Sequence, residues 1–232
     1  MLYNYALINN IDKMGRTAIV FGSTGLIGNL LVEELVQSEK YSFIKSFVRQ
    51  STGVTETKVE EIVVDFSSPE SFTGKITGDD LFICLGTTIK KAGSVANMEK
   101  IDRDLPVTIA TAALSNGVTR IAVVSSIGAT ARSGNYYLRI KGELEDSVMK
   151  MNFDNIVIVR PSMLLGERKE KRAGEIVGKV VMTAARPVLV GKLRKYRAIH
   201  GADVARAMIS LLQEREGKNI IESDELMKIS SM

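Results

Sequence analysis

The stretch TAIVFGSTGLIGNLLVEELVQ, from Thr17 to Gln37, joins an apolar run of strand length to an amphipathic run of helix length. Three glycines, Gly22, Gly25 and Gly28, stand between the two runs. Glycines in such a turn let the backbone approach a ligand closely, and the helix N-terminus offers unpaired N–H groups and a positive dipole end. The stretch therefore predicts a strand-turn-helix unit that holds a pyrophosphate. A tight turn without a ligand is the alternative interpretation.

Short apolar runs and longer amphipathic runs continue to alternate along the rest of the chain. Such alternation is typical of a doubly wound parallel sheet with helices on both faces. The patterns predict strands at 17–21, 44–48, 60–64, 81–85, 120–125, 155–159 and 219–222. They predict helices at 26–37, 95–115, 136–150, 174–185 and 202–214. We therefore expect an α/β protein with a Rossmann-type doubly wound parallel sheet.

The end of the second predicted strand indicates which dinucleotide is bound. NAD-preferring sites place an acidic residue about 20 positions after the glycines, where it binds the ribose 2′-hydroxyl. Arg49 occupies that place here, and an arginine can hold a 2′-phosphate with two hydrogen bonds. The sequence therefore predicts NADP(H), although Arg49 could also be an ordinary exposed arginine. Asp65, after the third strand, could accept a hydrogen bond from the adenine amino group or could be a turn residue.

A second group of residues is suited to proton transfer. Tyr137 and Lys141 are four residues apart on a predicted helix, so they share one face. A nearby ammonium makes a phenol more acidic, and the lysine can also hold the nicotinamide ribose. Ser125 and Ser126 end the fifth strand, at the sheet edge where doubly wound proteins bind ligands. A serine there can orient a substrate carbonyl, or it can simply cap the strand.

Composition excludes several other kinds of site. Cys84 is the one cysteine and His200 the one histidine, which rules out an internal disulfide or a His/Cys metal cage, so we predict no metal. Cys84 is interpreted as a buried core residue, and His200 as part of the core or surface. The net charge of +4 is spread along the chain, so we predict no nucleic-acid partner. Two basic clusters, at 167–172 and 192–197, are interpreted as solvated faces.

Length and hydropathy suggest one domain outside the membrane. The 232 residues, 45% of them hydrophobic, can bury one core. We predict one NAD(P)-binding domain over residues 15–232, in which residues 162–232 add a small C-terminal substrate-side lobe, after a leader or flexible arm at 1–14. No apolar run approaches the ~20 residues that cross a bilayer, and the first residues lack a secretory signal pattern. We therefore expect a cytoplasmic protein with no membrane partner.

Several motifs together resemble those of a known superfamily. The strings GSTGLIG, VVSSIGA, YLRIK and IVRPSMLLGER resemble the short-chain dehydrogenase/reductase superfamily in its extended or atypical branch, over about residues 17–214. More narrowly, CLGTTIKKAGS, IDRD and YLRIKGELE resemble the Tat-interacting oxidoreductase family, whose members bind NADPH.

This resemblance implies roles for individual positions. Ser126, Tyr137 and Lys141 match the catalytic set, with Ser125 left open as the serine because the interval from Ser126 to Tyr137 is slightly short. Asp102 falls where the superfamily often has an asparagine that supports a relay water, which puts that relay in doubt. Residues that match cofactor-binding positions are Gly22, Thr24, Gly25, Leu26, Ile27, Gly28, Arg49, Leu85, Gly86, Thr87, Tyr137, Lys141, Pro161, Ser162 and Met163.

The function expected from these residues is an NADP(H)-dependent oxidoreductase acting on a small carbonyl or alcohol. The alternative is an NADPH-binding regulatory or scaffold protein with little or no turnover. The intact Ser, Tyr and Lys set favours the enzyme, whereas the short C-terminal part, about 70 residues, favours the alternative. A small-molecule substrate is the expected partner, and a protein partner or a homodimer stays open.

Overall fold

The structure of the protein, a computed structural model, describes residues 15–165 and 189–231. Its strands are β1 (Arg16–Phe21), β2 (Tyr41–Val48), β3 (Val59–Val63), β4 (Asp80–Ile83), β5 (Arg120–Val124), β6 (Asn155–Arg160), β7 (Leu164–Leu165), β8 (Ile199–His200) and β9 (Gly217–Glu222). Seven of them form one parallel sheet in the order β3-β2-β1-β4-β5-β6-β9. The strand order reverses at β1, which is the arrangement of a doubly wound Rossmann sheet.

Helices cover both faces of this sheet. They are α1 (Leu26–Gln37), α2 (Ile89–Ala92), α3 (Val95–Glu99), α4 (Leu105–Ser115), α5 (Tyr136–Met149), α6 (Gly201–Glu214) and α7 (Ser223–Ile229). Helices α1 and α6 pack on one face, where Leu31 and Met208 are fully buried, and α4 and α5 pack on the other, where Ile109 is fully buried. The central strands β1, β4, β5 and β6 are largely apolar on both sides because both faces are covered. The predicted Rossmann-type α/β fold is confirmed.

Several element boundaries differ from the sequence prediction. The predicted helix at 95–115 is α3 and α4 joined by a π-helical turn at Lys100–Asp104. Pro106 has no N–H to donate to the carbonyl of Asp102, so the regular helical bonding is interrupted there. Strand β4 ends at Ile83, two residues earlier than predicted. The short helices α2 and α7 were not predicted, because helices of so few residues leave little periodicity to detect.

The C-terminal part is partly built onto the central sheet. Strand β9 pairs with β6 as an edge strand, and α6 packs closely on α1. A Cβ at Gly201 would lie 2.8 Å from the Leu30 side chain, so the start of α6 approaches α1 very closely. The predicted helix at 174–185, the basic cluster at 167–172 and the leader at 1–14 lie outside the described residues. The extent of a substrate-side lobe therefore stays a prediction.

A buried carboxylate ties the amino ends of the central strands together. Asp80 is fully buried and accepts hydrogen bonds from Tyr41 (2.6 Å), Arg16 Nε (2.8 Å) and Arg120 Nη2 (3.1 Å). These partners lie on β2, β1 and β5. Burial and the neighbouring Asp80 charge raise the pKa of Tyr41, so its hydroxyl stays a donor to the carboxylate.

Removing this carboxylate should destabilise the fold strongly. Asp80→Ala leaves two arginines near a buried site without their anion, and we expect it to lower the free energy of unfolding by about 3–5 kcal/mol. Denaturant unfolding measures this change. Asp146→Ala, at an exposed position of α5, is the control and should stay within about 0.5 kcal/mol of the parent protein. Equal losses in the two variants would contradict the role given to Asp80.

Candidate functional site

The turn between β1 and α1 requires glycine at two positions. Gly22 has φ +86°, and a Cβ on it would lie 2.7 Å from the carbonyl of Cys84. A Cβ on Gly28 would lie 2.1 Å from the carbonyl oxygen of Gly22. The Ser46 hydroxyl donates a 2.7 Å hydrogen bond to the Ser23 hydroxyl and anchors the turn to β2. These two glycines are therefore needed for the close approach of β1, α1 and the end of β4.

Gly25 stands in a different environment. Its φ is −81°, and a Cβ there would meet only the Gly22 carbonyl oxygen, at 3.3 Å. Gly25 is exposed at the N-cap of α1, no side chain caps the helix, and its first turn holds no acidic residue. Thr24, exposed, and Leu26 and Ile27 flank it. Gly25, which has no side chain, therefore faces solvent beside unpaired helix N–H groups. This arrangement suits the binding of an anionic group such as pyrophosphate.

An open groove lies at the carboxyl ends of β2 and β3. The groove measures about 610 Å³ and is lined by Arg49, Val63, Val64, Asp65, Phe66 and Ser67.

 A separate depression of about 280 Å³ lies between α1 and α6. Arg49 is exposed, and within residues 15–165 and 189–231 it forms no ion pair. The structure thus brings the predicted Arg49 and Asp65 to one groove.

Asp65 is engaged in a turn at this groove. Its Oδ1 atom accepts hydrogen bonds from the backbone N–H of Ser67 (2.9 Å) and from the Ser67 hydroxyl (2.7 Å). These hydrogen bonds lower the pKa of Asp65. Of the two interpretations made from the sequence, this geometry favours the turn residue.

The Lys141 side chain meets the end of β4. Its Nζ atom lies 3.3 Å from the Leu85 carbonyl oxygen and 3.8 Å from Asp102 Oδ2. A Cβ on Gly86 would lie 3.9 Å from the same Nζ, and Thr87 N donates a 2.8 Å hydrogen bond to Asp102 Oδ1. Lys141 is 2% exposed and Asp102 is fully buried. The buried lysine therefore lies against the predicted residues at the end of β4.

The direct pairing of Asp102 with Lys141 was not predicted from the sequence. Asp102 lies in the π-helical turn at Lys100–Asp104, and π turns are frequent at functional sites. The sequence indicated only that an aspartate replaces the usual asparagine. A contact between residues 39 positions apart, from 102 to 141, leaves no periodic signal in a single sequence.

Tyr137 lies in the first turn of α5. The Asn135 side chain caps this helix by accepting a 2.9 Å hydrogen bond from Tyr137 N. The Tyr137 side chain is partly buried against Met98 and Ile140. A Cβ on Gly142 would lie 2.1 Å from the carbonyl carbon of Thr130, so α5 packs directly on the loop after β5. A glycine inside an amphipathic helix was the sequence signal for this close packing.

The two serines at the end of β5 differ in their contacts. Ser125 is 4% exposed, and its hydroxyl donates to Glu145 on α5. Ser126 is partly buried, and its hydroxyl has only a marginal 3.5 Å contact with the Ile127 carbonyl oxygen. Ser126 is therefore the serine whose hydroxyl is available to a ligand.

Burial raises the pKa of the nearby Cys84 thiol to about 12, so this thiol is not a nucleophile at neutral pH.

The segment after β6 supplies the remaining predicted positions. The Pro161 carbonyl oxygen accepts a 3.1 Å hydrogen bond from Ile127 N. The Ser162 hydroxyl donates to the Arg197 carbonyl and contacts the Ser223 hydroxyl at 3.0 Å. Met163 is exposed. The hydroxyl of Ser162 is thus used within the protein, whereas the Met163 side chain is open to a ligand.

Metal-binding clusters and membrane-spanning helices are absent from the part of the chain that the structure describes. Residues 15–165 and 189–231 contain no group of three or more His, Cys, Asp or Glu that could hold a metal ion. None of the helices in those same ranges is both long and apolar enough to cross a membrane. His200 is exposed at the N-cap of α6.

Comparison with known proteins identifies relatives over most of the chain. A family described as NAD(P)H-binding matches residues 22–215. The mitochondrial protein FMP52 of Eremothecium gossypii is 31% identical over 222 residues, covering 91% of this chain and 96% of the relative. Protein HTATIP2 of Rattus norvegicus is 32% identical over 173 residues, covering 73% of this chain and 71% of the relative.

Solved structures support the fold. A short-chain dehydrogenase/reductase superfamily protein from Agrobacterium tumefaciens, crystallised with bound NAD, has a TM-score of 0.66 at 15% identity. The alignment covers 90% of this chain and 78% of that protein. At this level of identity the likeness concerns the fold.

One expectation from the sequence is wrong. The predicted cytoplasmic location is contradicted, because FMP52 relatives from several yeasts are named as mitochondrial. The absence of a secretory signal and of a long apolar run does not distinguish the cytoplasm from other compartments.

The family match begins at Gly22, in the glycine turn between β1 and α1. The match and the relatives confirm the resemblance to the Tat-interacting proteins, and the solved structure shows that the chain has the fold of a short-chain dehydrogenase/reductase superfamily protein. The chain belongs to the NAD(P)H-binding family and is related to the FMP52 and HTATIP2 proteins.

Proposed function

We propose that the protein is an NADP(H)-dependent oxidoreductase that interconverts a small carbonyl compound and its alcohol. One observation carries this proposal. Lys141 follows Tyr137 by one helical turn, and its ammonium is buried 3.3 Å from the Leu85 carbonyl oxygen at the end of β4. Groups suited to proton transfer thus adjoin the strand end that runs along the cofactor in this superfamily.

The residues present fit a nicotinamide dinucleotide. The uncapped N-terminus of α1, with Gly25 exposed, suits the pyrophosphate, and Arg49 suits a 2′-phosphate in the groove that it lines. The further residues proposed to hold the cofactor are Gly22, Thr24, Leu26, Ile27, Gly28, Asp65, Leu85, Gly86, Thr87, Tyr137, Lys141, Pro161, Ser162 and Met163. When bound, NADPH would supply the hydride.

The chain's own residues would handle the proton and the substrate oxygen. In the reductive direction Tyr137 donates its hydroxyl proton to the substrate oxygen, and Ser126 donates a hydrogen bond that orients that oxygen. Lys141 holds the ribose and stabilises the phenolate that remains. Asp102 and the Leu85 carbonyl keep the lysine ammonium in place.

An NADPH-holding regulatory or scaffold protein is the second candidate. The ammonium of Lys141 already faces the Asp102 carboxylate at 3.8 Å and the Leu85 carbonyl oxygen. This engagement lessens the positive charge that Tyr137 would experience, and so it favours a role with little turnover. A mitochondrial location is proposed for either function from the names of the FMP52 relatives.

The first test concerns the pyrophosphate site. Gly25→Val adds a branched side chain at an exposed position with ordinary backbone angles, so the protein should fold normally. The side chain would keep the pyrophosphate away from the α1 N-terminus, and NADPH binding should be abolished in calorimetry. Gly74→Val is the control, because a Cβ at Gly74 meets nothing within 4 Å. Unchanged NADPH affinity in Gly25→Val would contradict the assignment.

The second test concerns the choice of dinucleotide. The parent protein should bind NADPH more tightly than NADH. Arg49→Ala should narrow this difference by about 1.5–3 kcal/mol, the value of a hydrogen bond to a charged group, with little change in NADH affinity. Lys75→Ala removes an exposed cation elsewhere and should leave the difference unchanged. Equal affinities of the parent protein for both dinucleotides would refute the NADP(H) preference.

The third test separates the enzyme from the scaffold. A panel of carbonyl compounds offered with NADPH should contain at least one that is reduced. Tyr137→Phe should lower its turnover about 10²–10⁴-fold, the usual share of general acid catalysis, with nearly constant NADPH affinity. Lys141→Met should impair both turnover and NADPH binding.

The neighbouring tyrosine provides the control for this third test. Tyr136 is exposed and lies one position from Tyr137 on the same helix, so Tyr136→Phe should keep full turnover. A substrate that Tyr137→Phe reduces as fast as the parent protein would refute the catalytic assignment. Firm NADPH binding without reduction of any carbonyl compound would favour the scaffold.

A further inference from the structure

A buried carboxylate lies two turns after Tyr137 on helix α5. Tyr137, Lys141 and Glu145 are spaced at intervals of four residues, so they share one face of the helix. Glu145 is 3% exposed. A carboxylate removed from water requires charged or hydrogen-bonding partners. The partners of Glu145 therefore connect helix α5 to other parts of the chain.

The partners of Glu145 come from two strand ends. The Ser125 hydroxyl, directly after β5, donates to Oε1, and Arg160 Nε, the last residue of β6, donates to the same atom at 2.9 Å. Arg160 Nη2 donates to Glu145 Oε2 as well, which makes the pair bidentate. One carboxylate therefore holds the catalytic helix against the ends of both strands.

Arg160 extends the network to the serine loop and to the sheet edge. Its Nη2 donates to the Ala129 carbonyl oxygen at 3.1 Å, and its Nη1 donates to Glu222 on β9 at 3.2 Å. Ser126 lies between the two points that are held, Ser125 and Ala129. The guanidinium makes these contacts simultaneously because its donors form a planar fork, which a lysine ammonium cannot reproduce.

We propose that Glu145 and Arg160 are a positioning pair that holds the loop of residues 125–129 on helix α5. On the proposed oxidoreductase function, this pair fixes the position of the Ser126 hydroxyl relative to Tyr137 and Lys141, and neither member touches substrate. Ser125 contributes to this positioning because its hydroxyl donates a hydrogen bond to Glu145. This role explains why the two adjacent serines have different contacts.

The first measurement does not depend on activity. In Glu145→Gln an amide NH₂ group replaces one carboxylate oxygen. This NH₂ group cannot accept a hydrogen bond from Arg160, so one of the two hydrogen bonds of the pair is lost. Hydrogen exchange followed by mass spectrometry should then show faster exchange in peptides covering residues 125–131, where Ile127 N bonds to the Pro161 carbonyl oxygen. Asp146→Asn, with the same charge change at an exposed position of α5, should exchange like the parent protein. Equal exchange in both variants and the parent would overturn the proposal.

The second measurement tests the connection to Ser126. Glu145→Gln should lower kcat for carbonyl reduction about 10- to 100-fold, the effect of misplacing a reacting group by a small distance, with NADPH affinity changed less than about threefold. Ser126→Ala should then have a much smaller effect on kcat in the Glu145→Gln background than in the parent protein. An equal effect in both backgrounds would show that the pair acts only on stability and would overturn the positioning role.

A second variant guards against a failure of folding. Arg160→Lys keeps the positive charge but loses the fork, and it should reproduce both effects of Glu145→Gln. The outcome also separates this proposal from the proposed function. Faster exchange of residues 125–131 in a protein that reduces no carbonyl compound would support the pair and refute the oxidoreductase function alone.

Discussion

The turn that joins β1 to α1 closes only because two Cα atoms carry no side chain. The carbonyl oxygen of Gly22 lies 2.1 Å from the place of a Cβ on Gly28, and Gly22 itself lies against the Cys84 backbone. This contact sets α1 directly at the end of β1, beside β4, where the strand order of the sheet reverses. Crevices at such a reversal are the ligand sites of doubly wound sheets. The position of the whole candidate site follows from this packing.

The opposite wall of the site depends on buried charges. Helix α5 carries Lys141 and Glu145 one turn apart, and each charge is met by an opposite charge from another element, Asp102 and Arg160. Removing such groups from water is costly, and the attraction within a pair offsets this cost only when the geometry is good. These charged groups attach helix α5 to the end of β4, to the loop after β5 and to the end of β6. The candidate site is therefore positioned by buried charges as well as by apolar packing.

The strands and long helices were predictable from the sequence, whereas the pairings at the site were not. Central strands such as β1, with Ile19 and Val20 both fully buried, are apolar on both faces and are bounded by clear turn signals, so a local pattern suffices. The glycine turn was predictable because its three glycines directly follow β1 in the sequence. The engagement of Ser125 by Glu145 joins residues 20 positions apart, and the choice between the two serines depended on it. The π-helical turn could be anticipated only as a disturbance near Pro106.

The buried charges also bear on whether the protein turns over a substrate. A protein that only holds a dinucleotide needs an anion site and a groove, which the α1 N-terminus and the Arg49 groove provide. Replacing a buried ion pair with apolar residues of similar volume is often neutral or stabilising. The Glu145–Arg160 pair is therefore not explained by stability alone. It is explained if the Ser126 hydroxyl must be held at a fixed position relative to Tyr137, which is the requirement of proton transfer and favours the enzyme over the scaffold.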